Sequence, residues 1–291
     1  MKYAWIREHR KQYPVTVQCS VLEVAASGYY DGLNRTPSAR QQTRRQWEQA
    51  VERSHADSHR VYGYRKVHAD LQDQNLACCP ETTRKIMKKL GLSARIRKAF
   101  VVTTDSNHPY AVAGNLLDRD FTATAPNQKW LADITYIPTQ EGWLYLAAVL
   151  DLYARRVVGW AMSEHIDEDL VTEALHRAIR RRCPGQGLLH HSDRGSQYAA
   201  QGYQKVLDQF GIVCSMSRRG DCWDNAAMER FFGSLKTEWV NGDIYPSRES
   251  ARQDLFKYIE WFYNGQRRHE ALGYVSPVEF EARYFQEHQH A

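Results

Sequence analysis

The spacing of apolar residues changes from helical to strand-like near residue 126. Beyond that point, three runs rich in β-branched and aromatic residues are separated by short polar turns, which predicts an antiparallel meander. Two shorter apolar runs follow and alternate with amphipathic segments of helical length, so they predict two further strands among helices. The predicted strands are Trp130–Ile137, Trp143–Leu152, Arg156–Met162, Leu188–His191 and Ile212–Met216, and the predicted helices are Glu168–Arg181, Tyr198–Gln209 and one that starts near Asn225.

The order of these elements predicts the fold class. Three strands followed by helix, strand, helix, strand and helix is the order of a ribonuclease-H-like α/β fold, with a five-stranded mixed sheet flanked by helices. An amphipathic run at Arg252–Asn264 adds a C-terminal helix. We therefore expect residues 126–285 to form one such core.

The N-terminal region has the pattern of an all-α, helix-turn-helix-like structure. Residues 15–30 have the length of a helix, a tight turn and a second helix, which is a weak signal. Val61–Leu71 and Pro80–Leu90 give a stronger signal, because Pro80 opens the second helix and Gly91 ends it. We expect a helical segment over residues 1–40, a helix-turn-helix DNA-binding domain over residues 41–98 and a linker over residues 99–125.

The second helix of the stronger pair carries an exposed basic surface made of Arg84, Lys85, Lys88 and Lys89. A basic helix after a turn fits the major groove of DNA, where its side chains reach phosphates and base edges. The alternative is an ordinary helical hairpin whose lysines favour the helix C-terminus. The charge distribution favours DNA binding, since residues 1–110 contain 19 Lys and Arg against 10 Asp and Glu, whereas the remainder contains 20 against 24.

Composition argues against several other classes of protein. With 43% hydrophobic residues, the 291-residue chain can bury a sizeable core. Its six cysteines form no Cys-x-x-Cys pair, which argues against a structural zinc site. The N-terminus lacks an apolar signal core, and the longest apolar run, Trp143–Leu150, is too short to cross a membrane. We expect a soluble cytoplasmic protein with reduced thiols and no membrane partner.

Three acidic residues, Asp133, Asp193 and Glu229, are candidates for a two-metal phosphoryl-transfer centre. Two divalent ions about 4 Å apart activate an attacking oxygen and stabilise a leaving one, provided that carboxylates neutralise and position them. Asp133 lies in the middle of the first predicted strand, Asp193 just past the fourth, and Glu229 one turn into a later helix, so the three can meet at one edge of the sheet. Taken singly, Asp193 could be a turn residue and Glu229 a surface residue, and Asp224 is better explained as a helix N-cap.

The spacing and surroundings of these acids point to a family. Asp193 and Glu229 are separated by 35 residues, Asp133 lies in a Trp-x-x-Asp-Ile-Thr-Tyr strand, and Lys236 follows Glu229 by seven positions. Other motifs occur in order: Val-x-x-x-Cys-x-Val-Leu-x-Val-Ala-x-Ser-Gly-Tyr-Tyr at residues 15–30, Tyr62-Gly63-Tyr64-Arg65, Asn127-Gln128-Lys129-Trp130, Tyr263-Asn264-x-x-Arg267-x-His269 and Ser276-Pro277. Together they resemble the Asp-Asp-Glu transposases of the IS-three insertion-sequence family, with an integrase catalytic core, and specifically their second-reading-frame (OrfB) product.

The resemblance implies a reaction and its cofactor. Asp133, Asp193 and Glu229 would bind two Mg²⁺ ions, for which Mn²⁺ can substitute, and would catalyse DNA strand cleavage and strand transfer at insertion-sequence ends. Water would attack at the transposon end first, and the freed 3′-hydroxyl would then attack another phosphodiester. Hard cations prefer such oxygen ligands. The partners would be double-stranded DNA, both transposon ends and target, and further copies of the chain assembled on DNA.

Other residues near the acids have a predicted place. Seven helical residues advance about 10.5 Å and return within roughly 20° of the same face, so Lys236 should share the face of Glu229. The resemblance implies that Lys236 grips a phosphate of the DNA being cut, and the alternative is a salt-bridged or solvated lysine. Strand alternation points the imidazoles of His190 and His191 apart, so we expect at most one near the metals.

Two further groups of residues are expected to contact DNA. A loop that contains Arg218, Arg219, Gly220, Trp223 and Asp224 precedes the helix of Glu229 and is expected to close over DNA. After the predicted C-terminal amphipathic helix, Arg267, Arg268 and His269 are expected to contact DNA or to cap the catalytic fold.

One departure from the family pattern affects the expected function. Such proteins normally act as a frameshift fusion, in which the upstream-frame (OrfA) product supplies an additional helix-turn-helix and a leucine zipper, and no such heptad pattern occurs here. We expect the chain alone to keep the metal site and to recognise transposon ends poorly. Two other functions stay open. A ribonuclease-H-type nuclease is disfavoured by the 35-residue interval and the basic N-terminal region, and a non-catalytic DNA-binding regulator is disfavoured by the intact acids.

Overall fold

The N-terminal part of the chain is helical. The computed structural model describes residues 1–34, 36–95, 112–218 and 222–288. The predicted pair of helices is present, but the first of them starts at Tyr64, because Gly63 is its N-cap and Val61 and Tyr62 are buried ahead of it. The helices are α1 (Lys2–His9), α2 (Val15–Val21), α3 (Ala26–Asn34), α4 (Ala39–Asp57), α5 (Tyr64–Asp73) and α6 (Pro80–Lys89).

Helix α4 is missing from the predicted elements although its start has a sequence signal. The Ser38 hydroxyl accepts a hydrogen bond from the Gln41 backbone N–H, and the Gln41 side chain accepts one from the Ser38 N–H. This reciprocal pair is a capping box, which a Ser-x-x-Gln search would find. Buried Val51 of α4 belongs to the same apolar cluster as Val67 of α5 and Ile86 of α6, so the three helices share a core.

The second half of the molecule, from residue 126 onwards, contains a five-stranded sheet with the strand order β3-β2-β1-β4-β5. Its strands are β1 (Lys129–Thr139), β2 (Gly142–Asp151), β3 (Arg156–Ser163), β4 (Leu189–Ser192) and β5 (Val213–Met216). The first three are antiparallel, whereas β4 pairs with β1 and β5 pairs with β4 in parallel. The predicted ribonuclease-H-like fold class is therefore confirmed.

Helices cover both faces of this sheet. The elements are α7 (Glu168–Arg182), α8 (Ser196–Ala199), α9 (Gln201–Gln209), a 3₁₀ turn (Cys222–Asn225), α10 (Ala226–Ser234), a π-helical turn (Leu235–Val240), α11 (Arg248–Phe256), a second π-helical turn (Lys257–Tyr263), a 3₁₀ turn (Glu270–Leu272) and α12 (Pro277–His288). Trp130 and Ala132 of β1 lie in the apolar cluster of the α7 side, while Leu131 and Ile137 lie in the cluster of the α10 side. Because side chains alternate along a strand, Asp133 faces the α10 side.

Some elements differ from their predicted bounds. The helix predicted over Tyr198–Gln209 is divided into α8 and α9, because Ala200 adopts an extended conformation (ψ 143°) and serves as the N-cap of α9. The amphipathic run Arg252–Asn264 begins within α11 and continues through the π-helical turn. In the segment 112–125, the backbone N–H groups of Leu116 and Leu117 donate to Ser215 Oγ, which fastens that segment to β5. Among the described helices, none is both long and apolar enough to span a bilayer.

Candidate active site

Asp133 and Asp193 lie on neighbouring parallel strands. The β1–β4 register pairs Leu131 with His191, so two residues further along the same register Asp133 and Asp193 come level with each other. Asp133 is in the middle of β1, opposite Ala148 of β2, and its Oδ1 accepts a 2.8 Å hydrogen bond from the Ile134 N–H. Asp193 directly follows β4. The predicted convergence of these two carboxylates therefore results from strand pairing.

A tight turn holds the Asp193 carboxylate. Its Oδ1 accepts a 2.9 Å hydrogen bond from the Gly195 N–H, which is the geometry of an Asx turn. A Cβ at position 195 would lie 3.1 Å from that same oxygen and 2.9 Å from Gln197 Oε1, so a side chain there would crowd the Asp193 carboxylate. Asp193 is therefore a turn residue, as the alternative interpretation held, and its side chain is also fixed at the sheet edge.

Glu229 is brought to the same edge by the packing of α10. Met228 and Phe231, on either side of Glu229, are buried in the apolar cluster that also contains Leu131 of β1. Glu229 itself is half-buried in the first turn of α10. This packing sets the carboxylate of Glu229 on the side of the sheet that Asp133 faces.

Electrostatics connect the three acids. Burial and the negative charges of Asp193 and Glu229 raise the pKa of Asp133 well above its usual range, whereas the Ile134 N–H and the Lys236 charge lower it. The charges of Asp193, Glu229 and Lys236 therefore all act on the carboxyl group of Asp133. Within the described ranges, no three His, Cys, Asp or Glu side chains are already grouped closely enough to hold a metal ion.

Lys236 lies in the π-helical turn that continues α10. Its Nζ is 4.3 Å from the centroid of the Tyr136 ring, a cation–π distance. Burial lowers the pKa of Lys236, and the charge of Asp133 opposes that shift. This charge interaction places Lys236 near Asp133.

His190 and His191 point in opposite directions, as strand alternation predicts. His190 Nε2 is 3.1 Å from the Tyr203 hydroxyl, on the α9 side of the sheet. His191 is engaged at both ring nitrogens, with Ser215 Oγ at 2.8 Å and Ser217 Oγ at 3.0 Å. Burial lowers the pKa of His190 to about 3 and that of His191 to about 4, so both rings are neutral at physiological pH.

The interpretation of Asp224 as a helix N-cap is wrong. Asn225 occupies the N-cap position of α10, and Asp224 lies one residue earlier in the 3₁₀ turn. The buried Asp224 carboxylate instead accepts hydrogen bonds from Arg218, Arg119 and Asn115. Through these hydrogen bonds, the Asp224 carboxylate connects Arg218, just after β5, to Asn115 and Arg119 of the segment 112–121. Arg219 and Gly220 of the predicted loop lie outside the described residues.

The C-terminal basic residues act mainly within the fold. Arg267 donates to both carboxylate oxygens of Glu238 at 2.6 Å each. Arg268 forms ion pairs with Asp70 and Asp73 of α5. Of the two expected roles, capping the catalytic fold is the one these contacts support.

The basic helix α6 exposes its cations as predicted, and several of them are already paired. Arg84 donates two 2.8 Å hydrogen bonds to Glu81. Lys85 Nζ lies 3.7 Å from the same carboxylate, and Lys89 Nζ lies 2.6 Å from Glu48 of α4. These pairs are exposed, so they are weak enough to exchange for a phosphate.

The sequence pattern does not predict two buried polar residues beside the acids, Tyr198 and Asn225. The Tyr198 hydroxyl is buried and, within the described part of the chain, has no hydrogen-bond partner. Burial raises the pKa of Tyr198, and the charges of Asp133 and Asp193 add to that shift, so the ring lies near both acids. Asn225 donates to the carbonyl of Ala132 at 3.3 Å. Their proximity to the motif acids, five residues after Asp193 and four before Glu229, is the signal that could have identified them.

Three family models match the chain. Two of them, both described as integrase core domain, match residues 123–222 and 210–277. The third, described as HTH-like domain, matches residues 42–100. The matches cover both halves of the molecule that the sequence pattern separates.

Relatives match nearly the whole chain. The insertion element IS600 uncharacterized 31 kDa protein of Shigella sonnei is 42% identical over 268 residues, which cover 92% of this chain and 98% of that protein. Transposase InsF for insertion sequence IS3A of Escherichia coli K12 is 40% identical over 283 residues, which cover 97% of this chain and 98% of that protein. The HTLV-2 integrase catalytic core domain in complex with magnesium is similar at 16% identity over 55% of this chain and 99% of that chain, with a TM-score of 0.43. A TM-score that low says nothing about activity.

Proposed function

The chain belongs to the family of IS3 insertion-sequence transposases, and from that premise we propose that Asp133, Asp193 and Glu229 form its catalytic centre. As a transposase it is a polynucleotidyl transferase of the Asp-Asp-Glu class, and its substrate is DNA. The observation that carries the assignment of the site is the parallel register of β1 and β4, which brings Asp133 level with Asp193, and the charges of Asp193 and Glu229 raise the pKa of Asp133. A concentration of negative charge at one edge of the sheet favours the binding of divalent cations.

The donor set fits Mg²⁺, and two ions are proposed, with Mn²⁺ as a substitute. Carboxylate oxygens are hard ligands, and neither His190 nor His191 competes, because their ring nitrogens are engaged elsewhere. When bound, the ions would activate an attacking oxygen and stabilise a leaving one. To hold them, the three carboxylates must approach one another, and the loss of their mutual repulsion on metal binding favours that approach.

The remaining side chains of the site position the DNA. Lys236 is held over the Tyr136 ring and near Asp133, where its ammonium group is ready to bind a phosphate of the strand being cut. A phosphate would replace part of the hydration that burial removes from this lysine. The Asp193 turn and the buried packing of α10 keep two of the acids in place before DNA binds. The chain itself needs to supply no nucleophile.

We propose that the N-terminal helical half binds DNA. Helix α6 presents Arg84, Lys85, Lys88 and Lys89 on its exposed side, and residues 41–98 form the proposed DNA-binding domain. We further propose that the chain acts as an oligomer on DNA in the bacterial cytoplasm, as the catalytic part of a frameshift fusion with an upstream-frame product. An upstream helix-turn-helix would add the end recognition that one basic helix lacks.

A strand-transfer assay tests the catalytic assignment. The full chain is mixed with Mg²⁺, a duplex that carries the terminal sequence of its own element, and a target duplex. Glu229→Gln should remove the joined product, because it removes one negative charge from the metal ligands. Glu279→Gln, an exposed carboxylate on α12, is the matched control and should join strands like the wild type.

A second readout separates metal binding from DNA binding. Mg²⁺ should raise the melting temperature of the wild type, and Glu229→Gln should reduce that shift. Lys236→Ala should keep the shift while strand transfer falls about tenfold or more, because a charge-assisted contact to phosphate is lost. Unchanged strand transfer in Lys236→Ala would reject the role of Lys236. Hydrolysis of hybrid RNA without joining would favour the nuclease, and tight metal-independent binding without cleavage would favour the regulator.

A further inference from the structure

A cavity of about 360 Å³ lies between the helical half and the catalytic half. Lys66 of α5 forms part of its wall, Arg155 comes from the turn between β2 and β3, and Arg230 comes from α10. Arg267, Arg268 and His269 of the C-terminal segment also line it. We call this cavity the cationic cleft. Neither the sequence motifs nor the proposed active site accounts for it.

Some of the positive charge in the cationic cleft is neutralised within the fold. Arg267 forms a bidentate pair with Glu238, in which Nε and Nη2 each donate a hydrogen bond of 2.6 Å. Arg268 is paired with Asp70 and Asp73 of α5. These two arginines are therefore structural.

The other cations have no such partner. Within the described ranges, Lys66, Arg155 and Arg230 form no ion pair with a carboxylate. Burial and the nearby Arg267 charge lower the pKa of Lys66 to about 8, although the charges of Glu238 and Glu270 oppose that shift. Glu270 is the acidic residue among those that line the cleft, against five Lys and Arg. Burial also lowers the pKa of Arg155, and the charge of Arg230 contributes to that shift. Crowded cations in a half-buried cavity leave a surplus of positive charge, which a bound anion would neutralise.

The backbone of Arg155 gives a second, independent observation. Its φ is +54°, in the left-handed region that residues with a Cβ rarely adopt. Residues in this conformation occur often at functional sites. The turn between β2 and β3 thereby places the Arg155 side chain at the wall of the cavity.

The N-terminus of α10 lies on the same side. Ala226 and Ala227, the first two residues of the helix, line the cationic cleft. The N-cap Asn225 makes no side-chain cap, and its amide nitrogen donates to the carbonyl of Ala132. The positive end of the helix dipole therefore faces the cleft without a capping side chain, which favours an anion.

We propose that the cationic cleft binds one phosphodiester of the DNA backbone, held by Lys66, Arg155 and Arg230 together with the N-terminus of α10. This proposal rests on the proposed function, because it takes DNA as the substrate. The phosphate would contact both halves of the molecule and the helix that carries Glu229. DNA bound there would thus be fixed relative to both the helical half and the catalytic helix.

Fluorescence anisotropy with the full chain tests the proposal. The probe is a labelled duplex of the element's terminal sequence, in EDTA, over a series of salt concentrations. Arg155→Asn is the main variant, since Asn tolerates the left-handed conformation and the fold should stay as stable as the wild type. Arg230→Gln is the second. Arg180→Gln, an exposed arginine on α7, removes the same charge away from the cleft and is the matched control.

The expected result is a loss of about tenfold in affinity for each cleft variant. The slope of log affinity against log salt should also fall by about one, as for the loss of one phosphate contact. The control should change both quantities much less. Wild-type affinity and slope in both cleft variants would overturn the proposal.

A competition experiment separates DNA from a free anion. Inorganic phosphate and a mononucleotide are added to the wild type and to Arg155→Asn, and the change in melting temperature is measured. If either small anion stabilises the wild type specifically while the cleft variants bind DNA normally, the site takes a free anion and the proposal fails. The assays contain no Mg²⁺, so the cleft can fail while strand transfer stands, and strand transfer can fail while the cleft binds DNA.

Discussion

Among individual residues, the carboxylates near the candidate active site have opposite electrostatic settings. Asp133 is half-buried with two other acids nearby, so its pKa is raised. Asp224 is fully buried, yet hydrogen bonds from Arg218 hold its pKa well below its usual range, with further help from Arg119. The charge of Lys236 only partly offsets the acids around Asp133, whereas two arginines hydrogen-bond directly to Asp224.

Asp224→Asn should lower the free energy of unfolding by about 1–3 kcal/mol at pH 7, because Arg218 and Arg119 lose a charged acceptor. The folded-state pKa of Asp224 is depressed, so its stabilisation is present above the usual Asp pKa of about 3.9 and is lost as pH falls through the folded value. Urea denaturation of the wild type and the variant across that range should show the difference shrinking towards low pH. Asp243→Asn, at an exposed position, is the control. A constant difference across all pH values would show that Asp224 acts by packing alone.

At the scale of elements, the contact between β3 and α7 depends on one glycine. A Cβ at Gly159 would lie 2.3 Å from the Ala174 carbonyl oxygen and 2.6 Å from Ala178 Cβ. Both atoms belong to the body of α7, so neither can rotate away. The absence of a side chain at position 159 lets the helix lie directly on the strand.

Gly159→Ala should therefore destabilise the fold by about 1–3 kcal/mol, the usual range for overpacking. Thermal unfolding measures the effect. Gly185→Ala is the matched control, because a Cβ there would meet nothing within 4 Å. Equal melting temperatures for the two variants would mean that α7 shifts without cost.

Helix α6 allows a test of DNA binding at the same scale. Reversing Lys85 and Lys88 to Glu should weaken binding to duplex DNA and flatten its salt dependence, because two phosphate contacts become repulsive. Anisotropy over a salt series is the measurement. The control reverses Arg180 and Lys205, exposed cations of α7 and α9. The ordinary-hairpin interpretation of α6 predicts the same slope for both double variants.

For the whole molecule, Tyr62 connects the two halves. Its hydroxyl donates to the Gln266 carbonyl at 3.1 Å and accepts from the Arg268 N–H at 2.9 Å. Burial raises the pKa of Tyr62 to about 12, so the hydroxyl stays protonated and can make both bonds. The ion pairs of Arg268 with α5 add to the same contact.

Tyr62→Phe should lower the free energy of unfolding by about 1–2 kcal/mol, because the backbone groups of Gln266 and Arg268 lose their partner. Hydrogen exchange should become faster at the Arg268 amide in particular. Tyr13→Phe, at an exposed tyrosine, should change neither quantity. Unaltered exchange at Arg268 would show that other contacts suffice to hold the halves together.

The fold class and the family can be read from the sequence. The order of strands and helices along the chain follows from the alternation of apolar residues, a local property, and the spacing of Asp133, Asp193 and Glu229 carries the family signal. Single residues set the bounds that periodicity does not: the capping box of Ser38 and Gln41 starts α4, and the extended Ala200 divides a helix that apolar periodicity predicts as continuous.

The tertiary structure alone decided which residues meet across long intervals. Asp224 was assigned as a helix cap from its neighbours in sequence, but its partners Arg119 and Asn115 are about a hundred residues away. No sequence pattern relates Lys66, Arg155 and Arg230 to one another. They line one cavity only because the helical half packs against α10. The local periodicity of apolar residues determines the helices and strands. The net charge of a cavity, in contrast, depends on all the chain segments that line it, which can be distant in sequence.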